Sequence, residues 1–199
     1  MSRTLLIKLT LAGIGLCFLG ILASFFMDPA KITSNPSAQY NPKGNFTLTG
    51  TSGTPFELQD LRGKIVLLFF GYTSCPDACP MTLAKLQRAF NMLTPEQIEQ
   101  VRTLFVSVDP ERDTPRVLKD YVEYFGVNAI GLTGTKAEID KVVKAYGAHY
   151  LIIPGETENW YTINHTTTVY LHDKKGKVRY LFLSDETPEQ LAEAIRENL

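Results

Sequence analysis

Residues 65–70 read Ile-Val-Leu-Leu-Phe-Phe, an apolar run with no polar interruption. Such a run is the mark of a strand buried on both faces, because a strand with one wet face alternates. A chain built round it needs structure above and below its sheet. Phe46-Thr47-Leu48-Thr49 and Pro55-Phe56-Glu57-Leu58 read as a short hairpin around Gly50 to Gly53. Val101 to Val108 reads as a second central strand. His165 to Leu171 and Lys177 to Leu183 read as a further pair, joined by the turn Asp173-Lys174-Lys175-Gly176.

Helices fall between these strands. Leu83, Leu86, Phe90 and Leu93 recur at steps of three and four, which puts them on one helical face. Leu118, Tyr121, Val122 and Phe125 do the same, as do Ile139, Val142, Val143 and Tyr146. Three helix starts carry Thr-Pro pairs: Thr94-Pro95, Thr114-Pro115 and Thr187-Pro188. Threonine is a good N-cap and proline suits the first helical position. Gln97 and Gln190 complete capping boxes at the first and last. Strands alternating with helices, then a hairpin and a last helix, predict an α/β sandwich with a parallel pair at its centre.

Ahead of this domain the chain has a different character. Leu9 to Met27 carries no charge, with Arg3 and Lys8 before it and Asp28 after it. At 1.5 Å per residue the stretch just reaches across a hydrocarbon core of roughly 30 Å. The positive-inside rule keeps the N-terminus in the cytoplasm and the rest of the chain outside. The run is long for a secretory h-region, and no small-x-small site follows it, so residues 1–27 read as an uncleaved membrane anchor. Cys17, preceded by Gly15-Leu16, reads as a small apolar residue of that helix rather than a lipid attachment site. The simplest setting is a bacterial inner membrane, crossed once, with the domain facing the periplasm or cell exterior. Residues 28–45, rich in Pro, Ser and Asn, read as a linker, and residues 46–199 as one domain. A net charge of −1 without a Lys/Arg run offers no footprint for nucleic acid.

The chemistry concentrates in Phe70-Gly71-Tyr72-Thr73-Ser74-Cys75-Pro76-Asp77-Ala78-Cys79-Pro80, between the most buried strand and an amphipathic helix. Open α/β sheets place their sites there, beyond the carboxyl ends of strands. Pro76 keeps Cys75 out of helical conformation, and Pro80 fits only a first turn, so the helix starts around Asp77 to Pro80. The positive helix end is expected to lower the pKa of both thiols. Cys79 shares the stripe of Leu83 and Leu86, so both sulfurs are expected to face the domain. Adjacent thiolates suit a soft cation such as Cu(I). A structural disulfide closing so small a loop gains little. A thiol–disulfide oxidoreductase normally uses Cys-x-x-Cys, one residue shorter. A metal site needs a third ligand.

The histidines leave that question open. His172, beside Lys174-Lys175, is expected to be solvated. His149 lies in a stretch of no clear periodicity, and a surface or packing role is its default. His165 is expected to start the strand running to Leu171, and reaches the cysteine loop only if both lie at one end of the sheet.

The segment from Phe70 to Pro80, together with Val106-Ser107-Val108-Asp109-Pro110-Glu111-Arg112-Asp113-Thr114-Pro115, resembles the signature of the Sco/SenC family across residues 46–199. The resemblance implies a thioredoxin-like three-layer sandwich with a mixed central sheet, behind a single N-terminal transmembrane helix. It implies copper, as Cu(I) or Cu(II), held by Cys75, Cys79 and His165. It further implies a metallochaperone rather than a turnover enzyme, serving the binuclear CuA centre of cytochrome c oxidase. The implied partners are the copper-bearing oxidase subunit, another periplasmic copper chaperone, and the membrane through residues 9–27. The alternative is a thiol–disulfide reductase in which Cys75 and Cys79 are the redox pair and His165 is dispensable. The family usually has Asp before the histidine; this chain has Asn164. For Asp109 to Thr114 the resemblance gives a signature without a role, and a helix-capping turn is the expectation.

Overall fold

A computed structural model describes residues 45–157 and 160–199. The apolar run forms β3 (Ile65–Gly71), buried along its whole length. Each of its large side chains contributes roughly 1.5–3 kcal/mol by leaving water. It pairs in parallel with β4 (Val101–Ser107), from Ile65 beside Val101 to Gly71 beside Ser107. β4 in turn pairs in parallel with β5 (Ala129–Thr133). On the other side of β3 lies β8 (Val169–His172), antiparallel, followed by β9 (Val178–Phe182). The hairpin β1 (Thr47–Gly50) and β2 (Pro55–Glu57) joins the edge of β5. The main sheet runs β2-β1-β5-β4-β3-β8-β9, mixed as expected.

Five α-helices and a short 3-10 helix (Leu58–Leu61) complete the described domain: α1 (Ala78–Phe90), α2 (Pro95–Glu99), α3 (Pro115–Phe125), α4 (Lys136–Ala145) and α5 (Pro188–Asn198). Thr94 and Thr187 form the capping boxes, and Thr114 caps α3 by accepting from Val117 N. Successive side chains of β3 serve opposite layers. Phe69 meets Phe105, which meets Tyr121 of α3, whereas Phe70 meets Tyr146 at the end of α4. Helices therefore cover both faces of the sheet.

Two expectations are corrected. His165 does not start the strand that runs to Leu171. It ends β7 (Tyr161–His165), which pairs with β6 (Tyr150–Pro154) in a separate antiparallel ribbon. The chain leaves the ribbon at Thr166, whose N–H donates to His149 O, and joins the main sheet only at Val169. The β-branched Thr166-Thr167-Thr168 run disguised that break. His172 is not solvated either: it is 1% exposed, and its Nε2 meets the Tyr146 hydroxyl at 3.1 Å. Burial depresses its pKa to about 4. The apolar stretch from Leu9 to Met27 lies outside the described residues, and among the described residues no helix is long and apolar enough to cross a membrane.

Candidate metal centre

The parallel register of β3 and β4 sets Gly71 beside Ser107, so the loops that follow emerge side by side at one end of the sheet. The first carries the cysteines. α1 begins at Ala78, and Cys79 in its first turn is fully buried, aligned with Leu83 and Leu86 as expected. Its sulfur lies so close to β3 that a Cβ at Gly71 would stand 2.7 Å from it. Glycine is required there for lack of space. Cys75, ahead of the helix, is half-buried, and its sulfur accepts from Cys79 N–H at 3.5 Å.

The ribbon supplies the third group. His165 is 7% exposed, and its Nε2 lies 3.3 Å from Cys79 Sγ and 3.9 Å from Cys75 Sγ. Its Nδ1 lies 3.0 Å from Thr166 O. A carbonyl can only accept, so Nδ1 carries the proton and Nε2 presents its lone pair to the sulfurs. Phe69 and Tyr72 stand edge-on to the ring at 6.1 and 5.7 Å and fix its plane. Among the described residues, Cys75, Cys79 and His165 form the one group of three side chains whose ligand atoms fall within 4.8 Å of one another. Metal bonds of about 2.0–2.3 Å in a planar three-ligand set separate the donors by roughly 3.7–4.0 Å. The residues fit a thiolate-preferring ion with small adjustment.

The thiols are not equivalent, which corrects the expectation that both pKa values fall. Cys75 is lowered to about 3, chiefly because the Cys79 S–H donates to its thiolate. Cys79 is raised, because it is the donor to that thiolate and because it is buried. The helix end cannot ionise two sulfurs in contact, and the pair holds one proton.

The turn after β4 does more than cap a helix. Asp113 is fully buried and accepts from Thr73 N at 3.0 Å, Thr73 Oγ1 at 2.6 Å and Ser107 Oγ at 2.7 Å, which ties the cysteine loop to β4. Burial raises its pKa while those donors oppose the rise. Tyr72 reaches the other way, its hydroxyl accepting from Ile163 N at 3.1 Å in the histidine strand. Asp109 binds Arg112 and accepts from Tyr161 OH at 2.7 Å. The sequence offered one usable sign of these roles: Asp109 and Asp113 follow a second central strand and so belong at the same sheet edge as the cysteines.

A family model described as SCO1/SenC matches residues 34–199. Protein SenC of Rhodobacter capsulatus is 39% identical over 166 residues, 83% of this chain and 73% of that protein. The structure of Bradyrhizobium japonicum ScoI with copper bound is 37% identical, covers 78% of this chain and 98% of its own, and gives a TM-score of 0.68. The solution structure of apo Sco1 from Thermus thermophilus gives 0.72 at 34% identity, covering 81% and 94%.

Proposed function

The chain belongs to the SCO1/SenC family, and from that premise we propose that it is a membrane-anchored copper-binding protein that matures the CuA centre of cytochrome c oxidase. Copper is its cargo, carried by Cys75, Cys79 and His165. The observation that carries the reading is the convergence of two sulfurs and one imidazole lone pair with its tautomer already set. Two thiolates and an imidazole suit Cu(I), and the same set accepts Cu(II). Binding displaces the one proton shared by the thiols, so acid weakens it. Oxidising the pair to a disulfide removes two ligands and releases the ion, which couples occupancy to redox state.

Residues 9–27 hold the protein in a bacterial inner membrane, and residues 28–45 carry the domain on the periplasmic or outer side. The acceptor is the copper-bearing oxidase subunit, and the donor another copper chaperone of that compartment. The test is titration of the purified, reduced full-length chain with Cu(I) against a competing chelator. One ion binds per chain, Cys75→Ser or Cys79→Ser abolishes binding, and His165→Ala weakens it on the order of a hundredfold or more, at or above the top of the range for losing a group behind a ligand. Equal affinity in wild type and His165→Ala would remove His165 from the site.

One observation favours a second reading as a reductase of the oxidase's copper-site cysteines. Cys75 is the more accessible sulfur and the one held as thiolate, as a nucleophile requires. Its attack on a partner disulfide forms a mixed disulfide and frees one partner thiolate. Attack by Cys79 then frees the second and leaves Cys75–Cys79 oxidised. His165→Ala leaves oxidase assembly intact on that reading and blocks it on the first.

A further inference from the structure

Tyr161, Ile163 and His165 alternate along β7 and face the domain, whereas Asn164 between them is exposed. Each residue of that inward row is tied to the rest of the protein. His165 meets the sulfurs, Ile163 N–H donates to Tyr72 OH, and Tyr161 is gripped by Arg112. The grip has three parts. Arg112 Nη1 donates to Tyr161 O at 3.1 Å, its guanidinium lies 3.7 Å from the centre of the Tyr161 ring, and its Nε binds Asp109. Asp109 closes the loop by accepting from Tyr161 OH at 2.7 Å.

These ties matter because the ribbon joins no strand of the main sheet; on the β6 side it is held by Tyr150, opposite His165, whose hydroxyl donates to Asp140 of α4 at 2.6 Å. Leu151, Ile152 and Ile153 of β6 are exposed on both of its faces. A two-stranded ribbon is marginally stable on its own in water. The position of the His165 imidazole therefore depends on how the inward row of β7 is fastened, with Tyr150 bracing the strand opposite. Arg112 lies one residue from Asp113, which fastens the cysteine loop through Thr73. One short turn thus braces both halves of the metal site.

We infer that Arg112 is a positioning residue for the copper site: by gripping Tyr161 at the start of β7 it holds His165 within bonding reach of an ion on Cys75 and Cys79. The inference rests on the copper-binding reading above. Arg112 acts on the imidazole through the strand, four residues on from Tyr161, and through the Tyr72 ring, which lies 5.6 Å from its guanidinium and stands edge-on to His165. Lysine cannot replace it, since a point charge cannot bind a carboxylate and a carbonyl while stacking on a ring.

The experiment compares wild type, Arg112→Ala, Arg112→Lys, His165→Ala and the Arg112→Ala/His165→Ala pair as full-length chains. Cu(I) affinity is measured by chelator competition and nitrogen ligation by the hyperfine pattern of the Cu(II) form in electron spin resonance. Arg112→Ala lowers affinity about tenfold or more, the usual cost of losing a group behind a ligand. It also weakens the nitrogen hyperfine, and Arg112→Lys does not restore it. In the His165→Ala background the same change costs no further affinity, because both act through one ligand. Wild-type hyperfine in Arg112→Ala, or a second tenfold loss in the pair, would overturn the inference. Tyr161→Phe, which removes only the hydroxyl's bond to Asp109, is the milder variant if Arg112→Ala does not fold, and it costs about threefold. Amide exchange of the metal-free protein separates the two claims. Arg112→Ala speeds exchange at Tyr161 to His165 whether or not copper binds, whereas failure of the functional reading appears as a wild-type chain that binds no copper. Unchanged exchange there would also overturn the inference.

Discussion

His165 lies just ahead of β8 and His172 ends it, and the fold handles them alike up to the last contact. Both are buried, and both point Nδ1 at a backbone carbonyl, Thr166 O for one and Gly176 O for the other. The difference is what Nε2 meets. For His165 it is two sulfurs, one of them half-accessible. For His172 it is the hydroxyl of Tyr146, in a cluster with Tyr170 and Phe70 at the other end of the strand. Burial and a fixed tautomer do not make a metal ligand. A metal ligand is an imidazole fixed in this way and facing soft donors near an opening.

The comparison breaks most visibly when the two residues are truncated in turn. His172→Ala leaves a cavity and removes the ring nitrogen that meets the buried Tyr146 hydroxyl, and costs about 2–4 kcal/mol of unfolding free energy while copper affinity stays as in wild type. His165→Ala also leaves a cavity, beside Phe69 and Tyr72, and costs about 1–3 kcal/mol, but it alone cripples copper binding. Denaturant unfolding of both variants without metal, set beside their chelator titrations, checks that contrast.

A smaller effect sharpens the contrast through pH. His172 has a folded pKa of about 4 against the ordinary 6.5, so the unfolded chain binds the extra proton between those values. Its contribution is present in full above about pH 6.5 and is lost as pH falls through 4. The slope it adds is at most about 1.4 kcal/mol per pH unit. His172→Gln, which cannot titrate, flattens the stability curve between pH 4 and 6.5 relative to wild type. An unchanged slope would mean that His172 is not held neutral.

The two halves of the site also differ in how far the sequence revealed them. The cysteine loop was legible from local signals alone: an apolar strand, two prolines that fix where a helix can begin, and a stripe that places Cys79 inward. The strands β1 to β4, the helical stripes and the capping residues Thr94, Thr114 and Thr187 were legible for the same reason, whereas the short β5 (Ala129–Thr133) went unread. The histidine half was not, because β6 and β7 pair only with each other and β6 shows no inward-outward alternation in hydrophobicity. Tyr150-Leu151-Ile152-Ile153-Pro154 has exposed apolar residues where a sheet edge would be polar. Likewise Asp109, Arg112 and Asp113 read as a helix-capping turn until the register of β3 and β4 brought that turn against the cysteine loop. Contacts across forty or more residues, such as Thr73 with Asp113 or Tyr72 with Ile163, leave no periodic trace.

The central claim is that an imidazole from the ribbon and two thiolates from the sheet edge bind one copper ion together. X-ray absorption at the copper edge of the Cu(I)-loaded full-length chain counts those donors. Two sulfurs at about 2.2–2.3 Å and one nitrogen at about 2.0 Å are the expected shell, by analogy with other thiolate and imidazole bonds. A shell of sulfur alone, unchanged in His165→Ala, would contradict it.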